Sequence, residues 1–120
     1  MKPVVWLGTS HDAVRGFSGP VRRDIGYALY AAQRGGIDPS AKPLSGFGGR
    51  GVVEVIADDT GGTYRAVYTV RFEEAIYVLH AFQKKSRKGI ATSAADIEMI
   101  KKRLKLAEAE HRLAQAAKET

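Results

Sequence analysis

Tyr77-Val-Leu-His-Ala-Phe-Gln-Lys-Lys-Ser-Arg-Lys88 is the stretch whose reading decides the fold. Its first half has the apolar alternation and branching of a buried strand. Its second half sets four cations, Lys84, Lys85, Arg87 and Lys88, within five residues. A strand that ends this way carries charge out of the core and fixes it at a sheet edge, where cations suit phosphate oxygens. The plainer alternative is a solvated charge run at a strand end.

Two strand signals precede it. Val52 to Ala57 is rich in Val and Ile, and Thr63 to Phe72 follows the turn composition Asp58-Asp-Thr-Gly-Gly62. Glu73-Glu74 marks the next turn, before Ala75 to Gln83. Connections this short require antiparallel neighbours, hence a three-stranded meander. By alternation Arg65, Val67, Thr69 and Arg71 share one face of the middle strand, with Tyr64, Ala66, Tyr68 and Val70 on the other. The same alternation groups His80 with Ile76, Val78 and Phe82. Beyond the basic run, Thr92-Ser93 caps a last helix, with Asp96 placed to answer Ser93. Its inward stripe is Ile97, Ile100, Leu104 and Ala107, and Lys101, Lys102, Arg103 and Lys105 form a second basic cluster. From Glu108 the chain has little to bury, so residues 108–120 are expected to continue as a helix and fray.

The first third reads as a strand and a broken helical hairpin. Val4 to Leu7 is the strand. Thr9-Ser10 offers hydroxyl caps to a helix opening at His11 or Asp12, with Val14 and Phe17 at helical spacing. Ser18-Gly19-Pro20 interrupts it, and Pro20 suits the first turn of a second helix. Val21, Ile25, Leu29 and Ala32 make that helix's inward stripe, Arg22, Arg23 and Arg34 fall elsewhere on the wheel, and Gly35-Gly36 stops it. Residues 37–50 read as a loop. Ser45 to Gly51 resembles a phosphate cradle in its glycines but lacks the Lys-Ser/Thr ending of a P-loop, which makes it a flexible entry to the next strand. The fold class expected is α+β: a single domain over 1–120 with a small antiparallel-rich sheet, the N-terminal strand plus the meander. The helical hairpin and the C-terminal helix pack against it.

Composition narrows the function. At 120 residues the chain can bury one core without staples. No apolar run approaches the roughly 18 residues of a membrane span, and Pro3 to Leu7 reads as a strand, not a secretory signal. With no Cys there is no disulfide and no thiolate metal site, which fits a reducing cytoplasm. His11, His80 and His111 are widely spaced, so neither a metal nor another cofactor is expected. The net charge is +6 and uneven. Residues 1–60 carry seven Lys/Arg against six Asp/Glu (+1), and residues 61–120 carry twelve against seven (+5). A polyanion or an acidic protein would meet the second half, and no membrane partner is implied.

The order of elements, with Gly51-Val-Val-Glu54, Tyr64-Arg-Ala-Val-Tyr68 and Leu79-His-Ala-Phe-Gln-Lys-Lys-Ser86, resembles the RelE/ParE superfamily of bacterial toxins. The Phe-x-Lys-Lys before a terminal helix is similar to its phage-derived, HigB-like branch. The resemblance implies a cytoplasmic toxin that cleaves messenger RNA, usually on the ribosome, and is neutralised by an antitoxin from the neighbouring gene, expected to be a helix-turn-helix protein. It implies cleavage through the RNA's own 2′-hydroxyl, work that is positional and electrostatic. Carried over by motif, Arg65, Lys84, Lys85 and Arg87 are the catalytic candidates, and Lys88, Lys101 and Lys102 are the RNA-binding ones. One position departs from the family: Ile56 stands where many relatives have Arg. The same fold also serves a different class, a non-catalytic module that poisons a protein target such as gyrase.

Single residues keep two readings. His80 is a candidate general base, since an imidazole titrates near neutrality, or a hydrogen-bonded core residue. Arg65 is a phosphate ligand or the ion-pair partner of Glu54, and the two are compatible. Tyr64, Tyr68 and Tyr77 suit sheet packing better than base stacking, and Trp6 reads as core.

Overall fold

The computed structural model describes residues 1–49, 51–84 and 92–119. Its elements are β1 (Val4–Trp6), α1 (Ser10–Arg15), α2 (Gly19–Gln33), β2 (Ala41–Pro43), β3 (Val52–Asp59), β4 (Gly62–Thr69), β5 (Ile76–Lys84) and α3 (Ala94–Glu119). The α+β class expected from the sequence is present, with three helices on a five-stranded sheet of order β1-β5-β4-β3-β2. The sheet is mixed. The meander β3-β4-β5 is antiparallel, as its short connections require, and β1 joins the edge parallel to β5.

Local chemistry explains most boundaries. In α2, Val21, Ile25, Ala28, Leu29 and Ala32 are buried along one stripe. Pro20 stands in its first turn, where a missing N–H leaves no bond unmade. The helix ends in a Schellman arrangement. Gly35 adopts φ 83°, the Gly36 N–H donates to the Ala31 carbonyl at 2.8 Å, and the Gly35 N–H donates to that of Ala32 at 3.0 Å.

Four local expectations are corrected. The segment 37–50 is not all loop: Ala41–Pro43 forms an antiparallel edge strand on β3. Phe47, in the glycine-rich stretch, is almost wholly buried and packs with Val52, Leu79 and Leu104, so that stretch is anchored in the core. Helix α1 ends at Arg15, so Phe17 lies beyond it and packs on Tyr64 at 4.8 Å between ring centroids. The Thr9 hydroxyl does not cap α1; it faces Arg103, while the Ser10 hydroxyl donates to the Leu7 carbonyl at 2.7 Å.

The sheet separates two layers of core. On one face, Val53, Val55, Ala57, Tyr64, Ala66, Tyr68, Ile76 and Val78 meet α1 and α2. On the other, Val52, Val67, Tyr77 and Leu79 meet Ile100, Leu104 and Ala107 of α3. Helix α3 runs unbroken to Glu119. Its second half is tied to the β4–β5 turn: His111 lies 3.2 Å from Glu74 and stacks on Phe72 at 4.3 Å, and Glu108 pairs with Arg71. Trp6 is half-buried at the edge of the first layer and stacks on His11 at 4.6 Å.

Candidate functional site

The alternation along β5 breaks once. Val67 of β4 pairs with His80, but the next residue, Tyr68, pairs with Val78, leaving Leu79 as the extra residue of a β-bulge. A bulge resets the two-residue period, so two consecutive side chains fall on the same face. Leu79 and His80 both face α3, whereas Ile76 and Val78 face α2. The expectation that His80 shares its face with Ile76 and Val78 is therefore overturned; of that group only Phe82 stays with it, stacked at 4.9 Å.

The bulge completes a patch of ionisable residues under the first turns of α3. Cross-strand pairing sets two rows side by side, Ile56–Arg65–Phe82 and Glu54–Val67–His80. Arg65 and Glu54 are diagonal neighbours, and Arg65 Nη1 donates to Glu54 Oε2 at 3.1 Å. The pair is 6% and 2% exposed at the side chains, well inside the protein. Thr92 closes the triangle: its Oγ1 accepts from Arg65 at 2.9 Å and donates to Glu54 Oε2 at 2.7 Å. Ion pairing, one of the two compatible readings of Arg65, is thus realised, and its charge is compensated where it lies. Any phosphate bound there must share the guanidinium with Glu54.

Beside this triangle His80 Nε2 meets Asp96 Oδ1 at 2.8 Å, and its Nδ1 lies 3.4 Å from Arg103 Nη1. Arginine can only donate. When the ring is neutral it therefore accepts at Nδ1 and carries its proton on Nε2, which it donates to Asp96. Asp96 also accepts from the Ser93 hydroxyl at 2.7 Å, while its backbone N–H donates to Ser93 Oγ at 3.2 Å, the N-terminal capping pair expected of Ser93 and Asp96. Partial burial pushes the Asp96 carboxyl up. The hydrogen bonds from Ser93 and His80 and the positive potential of His80 and Lys84 outweigh that burial, so it lies below the ordinary carboxylate value. Thr92 and Ser93 divide the work: one holds the buried pair, the other the helix terminus.

Arg103, one of the second basic cluster in the sequence, is buried. Its Nη1 donates to the Leu79 carbonyl at 3.0 Å, the bulged residue itself. Gly8 makes room for it: at φ +54° a Cβ there would lie 2.6 Å from the Arg103 guanidinium carbon. Lys101 and Lys102 are exposed on α3, Lys101 at 4.0 Å from Glu98. Lys84 ends β5, half-buried and near enough to Asp96 to bias its carboxylate. Lys85, Arg87 and Lys88 lie outside the described residues.

The sequence thus marked Arg65, His80 and Lys84, which the fold gathers on one side of the sheet. It missed Thr92, Asp96 and Arg103 as members of the same network. For Asp96 a signal existed, the capping spacing from Ser93, but nothing local reports a partner 16 residues away. Among the described residues no three His, Asp or Glu side chains come together as metal ligands, and no helix is long and apolar enough to cross a membrane.

The molecule is thus a small α+β fold with a mixed sheet, a basic strand end and a buried ion network beneath its terminal helix. The family model described as Phage derived protein Gp49-like (DUF891) matches residues 12–105, and the chain belongs to that family, one of the RelE-like toxin kind. The matched span takes in most of α1, all of α2, the meander and the first turns of α3, and so every residue of the network except Gly8 and Thr9. No curated protein and no solved structure matches the chain.

Proposed function

We propose that this protein is the toxin of a toxin–antitoxin pair, of the HigB-like branch, and that it cuts messenger RNA on the ribosome in the cytoplasm without a metal or other cofactor. The observation that carries this reading is the His80–Asp96 pair beside Lys84 at the end of the strand that leads into the cationic run. His80 moves protons through Nδ1, whose 3.4 Å contact with Arg103 is the longer of its two and gives way to substrate, while Asp96 holds the ring at Nε2. Lys84, with Lys85, Arg87 and Lys88 next along the chain, takes the scissile phosphate, and the exposed Lys101 and Lys102 take flanking RNA. Arg65 acts through Glu54 and Thr92, holding the α3 terminus against the sheet, and meets phosphate only by sharing itself with Glu54. The nucleophile is the substrate's 2′-hydroxyl, so the upstream fragment ends in a cyclic or 3′-phosphate. A helix-turn-helix antitoxin would silence the site by laying acidic and apolar residues over the Lys84-to-Lys88 rim.

Induced expression followed by end-mapping of cellular messages tests this. His80→Gln should lower cleavage by about a hundred- to ten-thousandfold, the usual contribution of a general acid or base, while the protein stays folded. A chelator should change nothing if the ribosomes stay intact. Ile56, directly opposite Arg65 where many relatives carry a cation, favours a second reading, a toxin fold that acts by binding a protein such as gyrase. Intact messages together with DNA damage on induction would establish that reading instead.

A further inference from the structure

The outward face of α2 lies on the opposite side of the sheet from the His80 network. Arg23, Tyr27, Tyr30 and Arg34 recur there at helical spacing, turned directly away from the buried stripe of Val21, Ile25, Ala28, Leu29 and Ala32. Tyr27 is 60% exposed and Tyr30 47%. The Arg34 guanidinium lies 5.6 Å from the Tyr30 ring centroid and donates to its hydroxyl at 3.2 Å. Beside this stripe sits Gly26, mid-helix, with nothing within 4 Å of the place a Cβ would occupy. Glycine in a helix interior is destabilising relative to alanine, and here no packing requires it. What it supplies is bare backbone beside the two rings.

We infer that this face of α2 binds single-stranded RNA, with bases stacked on Tyr27 and Tyr30 and phosphates on Arg23 and Arg34. The stripe itself carries two cations and no acid, with Arg22 at one margin and Asp24 at the other, so its net charge of +2 complements a phosphate backbone. Aromatic faces interleaved with arginine accept any base without reading its sequence. A partner helix would call for aliphatic residues at the apex of the stripe, and the apex holds none. The RNA identity of the strand rests on the proposed action on messenger RNA; the stacking site itself does not depend on cleavage.

The test uses the full chain and a fluorescein-labelled, 2′-O-methylated oligouridylate, which lacks the hydroxyl that cleavage needs, read by anisotropy. Tyr27→Ser and Tyr30→Ser should each weaken binding roughly fivefold or more. Arg34→Ala should lower the slope of log affinity against log salt by about 0.7, one phosphate contact on a single strand. Gly26→Ala should raise the melting temperature yet weaken binding, opposite signs that a glycine without a ligand would not give. No binding by the wild type, or unchanged affinity in both tyrosine variants, would overturn the inference. Loss of binding only in Lys101→Ala/Lys102→Ala would overturn it too, assigning the strand to α3. Intact binding beside a protein that cuts no message would sink the nuclease reading alone.

Discussion

The two faces of the sheet are built on different principles. The face toward α1 and α2 is closed by Val, Ile, Ala, Leu and Tyr, and its one stripe of α2 follows simple helical periodicity. The face toward α3 buries apolar residues too, but within that layer it also holds Glu54, Arg65, Thr69 and Arg103, with His80 and Asp96 at its margin. Apolar burial stabilises without direction, whereas a buried charge is tolerated only with a partner at the right place. The α2 face therefore supplies stability and the α3 face supplies specific geometry. The bulge at Leu79 is the device that moves a titratable ring from the first face to the second.

That contrast can be broken most severely on the apolar side. Leu29→Asp places a charge among Val21, Ile25 and the sheet with nothing to pair with it, and should leave no cooperatively folded protein. A melting curve unchanged from wild type would show that α2 does not close this face. On the α3 side Arg65→Ala should cost about 3–5 kcal/mol, because it strands Glu54 as a buried charge. Replacing both partners with methionine should recover most of that loss, which chemical denaturation of the single and double variants would reveal.

Gly8→Ala is a smaller perturbation of the same face. The left-handed backbone alone should cost about 1–2 kcal/mol, and the new methyl also displaces the Arg103 guanidinium from the Leu79 carbonyl. If Arg103 has the role assigned here, the His80 ring resonances should shift by NMR along with the loss of stability. The mildest change is Asp96→Asn, worth roughly 1 kcal/mol at neutral pH as one net hydrogen bond. The folded carboxyl lies below its ordinary value, so its stabilisation is full above the unfolded value of about 3.9 and fades as pH falls through the folded one. The stability gap between wild type and variant should be constant near pH 7 and close below about pH 4, measured by urea denaturation across pH.

Most of the elements, β2 excepted, are legible in the amino-acid sequence alone. The stripe of Val21, Ile25, Leu29 and Ala32, the glycine stop at 35 and 36, the short turns of the meander and the Ser93–Asp96 cap are all set by contacts within a few residues, so composition and spacing report them. The resemblance of Tyr64 to Tyr68 and of Leu79 to Ser86 to a toxin superfamily was also legible, and the family match agrees with it at the level of a RelE-like toxin. How the site residues meet is set by packing. One extra residue at Leu79 leaves no mark on composition, since its effect is a change of register against Val67 and Tyr68 on another strand. Arg103 looks like its basic neighbours in the sequence, and becomes a buried donor only because α3 lies over β5 where Gly8 leaves space. Local patterns fix which segments fold, because their energies come from neighbours along the chain. Which charges meet depends on how those segments pack, through contacts between residues as far apart as Thr9 and Arg103.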